Sequence, residues 1–382
     1  MRNYEILVAH NHSSIEIMHS LVPFYLLSKE ESKFNLKFID FKFLDYKKHR
    51  ADILILTRKY HHFDHNQKKD RNLILSDIKK YRKRFEKLIY FDDSAAVSHI
   101  LYFILPYIDS YWVRGLLVDK NQYENPFYGG RTYSDYYFLK YGIKDQKKTF
   151  SPKFNFAHYQ KIKIAWNIGI GCFPVYKNSF LNRFYVFIKK FCCILSFFSL
   201  NFILKKIIFL YLVQMKNYLK QELNLENKQN LINARFSFEG YSNSVGFNRK
   251  LIFEKILNNK KFIKGRISSW KYTKELSKTI AMLSPFGWGE ICYRDFEAIL
   301  NKNLLVTPDM KHLETWPNIY KDEHYFKLDW DSLNLLEVEK YIIKNKTDIY
   351  SKIQKSIYVY LSALESCSKR AEFLLDEVIL DK

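Results

Sequence analysis

The fold of this protein is decided by residues 280–309, which run IAMLSPFGWGEICYRDFEAILNKNLLVTPD. An apolar run at 280–283 precedes a loop that contains Gly287 and Gly289, and a second apolar run begins at Leu304. Between the loop and the second run, apolar residues recur at helical spacing. We interpret the segment as a strand, a glycine-containing loop, a helix that opens at the glycines, and a strand. This order is typical of a parallel sheet covered by helices.

The same alternation extends outward through both halves of the chain. Amphipathic stretches between apolar runs predict helices, and the later tail is helical and charged. The pattern predicts an α/β protein with a domain at 1–175, a helical connector at 176–226, a second domain at 227–345 and C-terminal helices at 346–382. Strands are predicted in the first half at residues 6–10, 34–41, 51–57, 87–94, 107–115 and 161–171.

Composition limits the class of protein and its partners. The 382 residues are 47% hydrophobic, which excludes wholesale disorder. The 62 Lys and Arg against 40 Asp and Glu give a net charge of +22, which favours polyanionic partners or reflects an AT-rich genome. The 5 cysteines show no metal-binding spacing and predict reduced thiols in the cytoplasm. The polar N-terminus does not resemble a signal peptide.

Residues 187–216 are apolar, but Asn201, Lys205 and Lys206 interrupt them. A spanning helix needs roughly 20 largely uncharged residues, so the lysine pair argues against a membrane crossing. Two interpretations stay open for this segment. It lies on an anionic membrane surface as an interfacial helix pair, or it packs between the domains as a buried helix.

The glycine loop and the residues after it form a candidate site. Gly287 and Gly289 let the backbone approach a ligand, and the N–H groups that begin a helix attract phosphate. On a helix that starts there, Glu290, Arg294 and Glu297 share one face. Carboxylates bind paired sugar hydroxyls, and arginine binds diphosphate. The pattern favours a nucleotide-sugar over a dinucleotide, although glycines that merely mark a turn are the alternative.

Ser-Pro-x-Gly-x-Gly at 284–289, with Arg294 and the pair Glu297-Ala298, resembles the donor-site segment of exostosin-like glycosyltransferases. It is also similar to the two-glutamate segment of the large retaining GT-B families. The resemblance implies the GT-B fold, in which two Rossmann-like domains face each other across a cleft. It implies that Glu297 binds the donor ribose and that Glu290 faces the sugar or the phosphate. Six residues separate the two glutamates where the retaining families have seven, so retaining and inverting outcomes both stay open.

GT-B enzymes generally neutralise the leaving diphosphate with side chains and helix dipoles, so no metal ion and no cofactor are expected. Lys264 and Arg249 are candidates for the basic residue of such a donor site. The alternative for each is a solvated surface charge.

The carboxyl ends of the first-half strands should face the cleft, because ligands bind there in parallel sheets. An inverting transferase needs a general base, for which Asp93 and His12 are candidates, and Glu290 is the third catalytic candidate. Residues 92–93 could instead cap the next helix. A histidine cluster on a polar loop, interpreted as exposed rather than as a metal site, comprises His61, His62 and His65.

The resemblance and the charge together predict a glycosyltransferase. It would move a sugar from a nucleotide-diphosphate donor to a glycan or lipid-linked acceptor of bacterial lipopolysaccharide, O-antigen or capsule. The expected location is the cytoplasm, peripheral on the inner face of the membrane, with no nucleic-acid partner. Two alternatives stay open: a basic nucleic-acid-binding protein with aromatics between its charges, and a catalytically inactive GT-B scaffold.

Overall fold

The computed structural model describes residues 2–10, 20–45, 47–58, 68–154, 156–171 and 201–380. Within them, the first half forms a six-stranded parallel sheet in the order β2-β1-β3-β4-β5-β7. Its strands are β1 Tyr4–His10, β2 Phe34–Asp40, β3 Ile53–Thr57, β4 Lys87–Asp92, β5 Ser110–Val113 and β7 Ile162–Ile164. The intervening short strand β6, Gly115–Leu117, lies outside this sheet.

Every strand predicted in the first half overlaps a strand of this sheet. The centre of the sheet is covered on both faces, and β3 and β4 are buried nearly throughout, as their continuous apolar runs require. The predicted strand at 161–171 ends early, because Ile168–Gly171 turns into a 3-10 helix. The helices of this half are α1 Val22–Leu27, α2 Lys68–Arg82 and α3 Thr132–Tyr141.

The second half repeats the architecture with a five-stranded parallel sheet in the order β13-β11-β10-β8-β9. Its strands are β8 Gln229–Asn233, β9 Phe262–Ile263, β10 Thr279–Leu283, β11 Leu304–Pro308 and β13 Phe326–Leu328, and β12 Leu313–Thr315 lies outside it. The helices are α4 Asn201–Lys220, α5 Asn243–Ile256, α6 Ser269–Leu276, α7 Tyr293–Leu300, α8 Glu337–Lys344 and α9 Lys346–Leu380.

Both sheets place their first strand between the second and third. β1 lies between β2 and β3, and β8 lies between β9 and β10. Chain connections therefore leave the central strand in opposite directions, which opens a crevice at the carboxyl ends of the strands. In the second sheet this crevice lies between the loops that follow β8 and β10.

The two carboxyl edges face each other. Tyr133 at the start of α3 donates a hydrogen bond of 2.6 Å to the carbonyl of Gly287 beyond β10. The short strands β6 and β12 pair antiparallel, joining the segment between β5 and β7 to the second half. Helix α9 packs against α1 in the first half and against α7 in the second. Two Rossmann-like domains in this arrangement form the predicted GT-B fold, which is confirmed.

Helix α4 covers the described end of the apolar segment. Tyr211, Leu212 and Met215 are buried, and the helix packs against α1 and α9, whereas Phe209 and Leu210 are about half exposed. This part of the segment therefore contributes to the packed core. Over the described residues, no helix has both the length and the apolar content that crossing a bilayer requires. Residues 187–200 lie outside the described part, so their predicted membrane contact remains a prediction.

Candidate functional site

The glycine loop is an interface between the two domains. A Cβ atom built on Gly289 would lie 1.8 Å from the carbonyl oxygen of Ala95, which follows β4 in the first domain. One built on Gly287 would lie 2.9 Å from the sulfur of Cys292. The sequence predicted that both glycines leave room for a ligand. For Gly289 this is corrected, because the absence of a side chain leaves room for the Ala95 backbone of the first domain.

The helix does not open at the glycines. Helix α7 begins at Tyr293, with Cys292 as its N-cap residue. The Asp295 carboxylate accepts a hydrogen bond of 2.9 Å from the Cys292 N–H, which fixes the first turn at this position. Glu290 therefore lies in the preceding turn, and the prediction that it shares a helical face with Arg294 and Glu297 is wrong.

Asp295 organises this turn, and sequence reasoning missed it. Its buried carboxylate also accepts hydrogen bonds from the Ser284 hydroxyl at 2.5 Å and the Tyr320 hydroxyl at 2.6 Å. Burial outweighs these hydrogen bonds and raises the pKa of Asp295 to about 6. The sequence signal for this role is an acidic residue three positions after the N-cap residue Cys292, which is the spacing of a capping box.

Glu290 is buried between the domains. Its carboxylate accepts hydrogen bonds from the Thr132 hydroxyl at 3.2 Å and the Val97 N–H at 3.4 Å, both in the first domain. Burial raises the pKa of Glu290 despite these contacts and the nearby positive charge of Arg131. Its contacts hold the loop to the first domain, and a catalytic role for it remains a prediction.

Glu297 and Arg294 occupy the crevice of the second sheet. The Arg294 guanidinium donates to the carbonyls of Arg235, after β8, and of Leu283, at the end of β10, at 2.8 and 3.2 Å. Glu297 is half-buried, and its carboxylate accepts a hydrogen bond of 2.9 Å from the Tyr272 hydroxyl. This places a partly accessible carboxylate at the edge where a parallel sheet binds its ligand. Arg294, by contrast, directs its donors to groups of the protein, the two carbonyls and the side-chain oxygens of Tyr272 and Asn233.

The predicted diphosphate-binding cations also contact the backbone. Arg249 is 6% exposed and donates to the carbonyls of Phe286 and Ser237. The Lys264 ammonium donates to two carbonyls at 2.8 Å, that of Ile256 at the end of α5 and that of Asn259 in the following loop. Arg266 lies after β9, in the loop that leads to α6, and it is exposed. Arg266 is thus an exposed cation near this edge, in contrast to the buried Arg249.

An ion pair that the sequence analysis did not predict borders the crevice. The Arg235 guanidinium binds the Glu275 carboxylate through two hydrogen bonds of 2.7 Å. Asn233 donates to the same carboxylate at 2.6 Å. The pair joins the end of β8 to α6 and so supports the position of Tyr272, which lies on α6.

Asp93 lies at the carboxyl edge of the first sheet. Its carboxylate is 3.7 Å from the Arg114 guanidinium and has no exposed surface. The adjacent Asp92 binds Arg58 at 3.0 Å and accepts from the Ser94 N–H at 3.0 Å, so it shapes the turn after β4. His12 lies outside the described residues, and the assignment of a general base therefore remains a prediction.

Among the described residues, no group of three or more His, Cys, Asp or Glu side chains is arranged to hold a metal ion. The predicted loop cluster of His61, His62 and His65 lies outside that part of the chain.

The sequence matches no protein-family model and no curated protein. Its structure is similar to several solved structures at low identity. A glycosyltransferase from Rickettsia africae has a TM-score of 0.45 at 11% identity, covering 100% of both chains. Anabaena HepE in complex with UDP and glucose has a TM-score of 0.44 at 9% identity, covering 98% of this chain and 100% of its own.

The lipopolysaccharide outer core galactosyltransferase WaaB has a TM-score of 0.40 at 11% identity, with 96% of this chain and 99% of its own covered. Of these three structures, two are named as glycosyltransferases, and HepE was solved with UDP and glucose. The two parallel sheets and their facing edges, rather than these low scores, define the fold.

Proposed function

We propose that this protein is a glycosyltransferase that binds a nucleotide-diphosphate sugar in its second domain. The observation that carries the proposal is the half-buried Glu297 carboxylate, held by Tyr272 at 2.9 Å in the crevice between β8 and β10. A carboxylate offers acceptor oxygens to both hydroxyls of a ribose. The crevice at the carboxyl end of a parallel sheet is the usual ligand position in such folds.

The leaving diphosphate requires positive charge in this crevice. Arg266 is our candidate for that contact, because Lys264 and Arg294 already donate to backbone carbonyls. We propose transfer without a metal ion, with side-chain charge neutralising the developing negative charge. Activity that persists in excess EDTA would support this part of the proposal, and activity restored only by a divalent cation would oppose it.

The acceptor belongs in the first domain, with the reaction at the facing edges. We propose a glycan or lipid-linked acceptor of bacterial surface polysaccharide, reached at the inner face of the cytoplasmic membrane. Support comes from the net charge of +22, which favours an anionic surface. Asp93, His12 and Glu290 remain the candidates for proton transfer.

Titration calorimetry with UDP, GDP, ADP and CDP tests donor binding. Glu297→Ala should raise the dissociation constant of the preferred nucleotide at least tenfold, because the ribose loses its acceptor. Tyr272→Phe is the matched control: it removes the same hydrogen bond but keeps the carboxylate, so affinity should stay within about threefold. Wild-type affinity in Glu297→Ala would refute the assignment of this site.

A further inference from the structure

A separate cavity opens at the carboxyl edge of the first sheet. It has a volume of about 260 Å³ and is lined by the ends of β3 and β4, the loop at Gly129–Gly130, and Trp288 from the second domain. Pockets for drug-sized ligands have about 300–1,000 Å³. This cavity therefore suits a single sugar ring with its substituents. Glu297 does not line it.

Two arginines line the cavity, and one of them gives it a positive charge. The Arg131 side chain donates to the carbonyls of Trp288 and Gly129, each at 2.6 Å, so two backbone groups fix its orientation. Arg58 is neutralised by Asp92 at 3.0 Å. Within the described ranges no carboxylate forms an ion pair with Arg131, and the buried Glu290 carboxylate interacts with its charge at longer range. A fixed guanidinium without a bound carboxylate is suited to an anion from outside the protein.

Two exposed aromatic rings border the same cavity. Trp288 is 50% exposed and Phe150 is 37% exposed. Arg131 lies over the Trp288 ring, 5.9 Å from its centroid, which further restrains the guanidinium. The cavity thus combines apolar ring faces with one oriented positive charge. This combination matches a ligand that has an apolar face and an anionic substituent, such as an acidic or phosphorylated sugar.

We propose that the cavity binds an acceptor sugar through an anionic substituent, a carboxylate or a phosphate ester, held by Arg131. The proposal rests on the proposed function, because it places the acceptor beside the glycine loop of the donor domain. It adds a specificity: a neutral sugar lacks the group that Arg131 recognises. Trp288, between Gly287 and Gly289, would connect acceptor binding to the donor side of the cleft.

The test uses the full chain with glucuronate, glucose 6-phosphate and neutral glucose as probes, measured by ligand-observed NMR titration. Both anionic probes should bind at least tenfold more tightly than glucose. Arg131→Gln should remove this preference, whereas UDP affinity should stay within twofold. Arg84→Gln, an exposed arginine before the amino end of β4, is the charge-matched control and should bind all probes as wild type does.

Preference for glucuronate would identify a carboxylate and preference for glucose 6-phosphate a phosphate ester, and either supports the proposal. Equal binding of glucose and the anionic probes, or an Arg131→Gln variant that binds like wild type, would overturn it. UDP that competes with glucose 6-phosphate and loses affinity in Arg131→Gln would also overturn it, since the cavity would then hold the donor.

UDP affinity reports separately on the proposed donor site, so failure of one site is distinguishable from failure of the other. If Arg131→Gln does not fold, Phe150→Ala on the cavity rim provides the second variant. It should weaken both anionic probes at least threefold, and unchanged affinities would overturn the proposal.

Discussion

Gly289 shows how a single residue sets the distance between the domains. Its built Cβ atom would meet the Ala95 carbonyl oxygen at 1.8 Å, and a backbone atom cannot rotate away as a side chain does. We predict that Gly289→Ala lowers the free energy of unfolding by about 3 kcal/mol, the upper range for overpacking. Urea unfolding of the variant measures this loss.

Gly142→Ala is the control for that experiment. Gly142 has a φ of +67° and nothing within 4 Å of a built Cβ, so only backbone strain acts there. Gly142→Ala should lower the free energy of unfolding by about 1 kcal/mol. Adding Ala95→Gly to Gly289→Ala should not restore stability, because the closest contact is with backbone. Restoration would show that the side chains, rather than the backbone, limit the approach.

The free energy of unfolding depends on pH through the buried carboxyl group of Asp295. Its pKa is raised by burial from 3.8 to about 6. Between these values the folded state holds a proton that the unfolded state has lost, so stability falls as pH rises. The loss approaches about 3 kcal/mol, at about 1.36 kcal/mol per pKa unit.

We therefore predict that wild-type stability, relative to Asp295→Asn, decreases by about 2 kcal/mol between pH 4 and pH 7. Denaturant unfolding at several pH values measures the difference. The exposed Asp119→Asn variant reports the general effect of removing one negative charge. A constant difference between wild type and Asp295→Asn would contradict the raised pKa.

At the scale of elements, the local pattern predicted the strands well, because a strand that is buried on both faces needs a continuous run of apolar residues. Residues 53–57 and 279–283 are buried at every position, and both were recognisable from composition alone. The start of α7 was not predicted, because Cys292 is an unusual N-cap residue and the two glycines are a stronger sequence signal than the acidic residue that accepts the Cys292 N–H hydrogen bond. The error placed Glu290 on the helix, whereas it lies in the preceding turn.

The roles of the basic residues could not be predicted, because their partners are distant in sequence. Arg294 binds the carbonyl of Arg235, 59 positions away, and Arg249 binds that of Phe286, 37 positions away. A lysine or arginine that holds backbone has the same local sequence as one that binds phosphate. In the structure Arg249 is buried against the backbone and Arg266 is exposed, and this difference is the reason why Arg266 is proposed for the phosphate contact.

The segment between β5 and β7 was also beyond local analysis. Its strand β6 pairs with β12, and its helix α3 packs against α5, so it joins the first domain to the second. Neither contact leaves a periodic signal, since β6 and β12 have only three residues each. The sequence alone therefore assigns this segment to the first domain and does not predict its contacts with the second domain.

At the scale of the molecule, Asp331 joins the two domains. This carboxylate of the second domain accepts hydrogen bonds from Tyr136 and Tyr141 of α3, each at 2.7 Å, and from the Lys140 ammonium. Burial alone would raise the pKa of Asp331, but the hydrogen bonds from Lys140 and the two tyrosines outweigh it and lower the pKa. The contribution to stability is thus present above about pH 4 and is lost as pH falls further.

With this contact, the β6–β12 pair and helix α9 spanning both halves, we predict that the domains unfold in one calorimetric transition at pH 7. Asp331→Asn should lower the free energy of unfolding by about 2 kcal/mol, because one amide oxygen replaces two acceptors and the ammonium loses its counter-charge. Asp322→Asn is the control: this exposed aspartate pairs with Lys327 in its own domain and should cost less than about 1 kcal/mol. Two separate transitions in the wild type, or equal losses in the two variants, would show that the domains are stable independently of this contact.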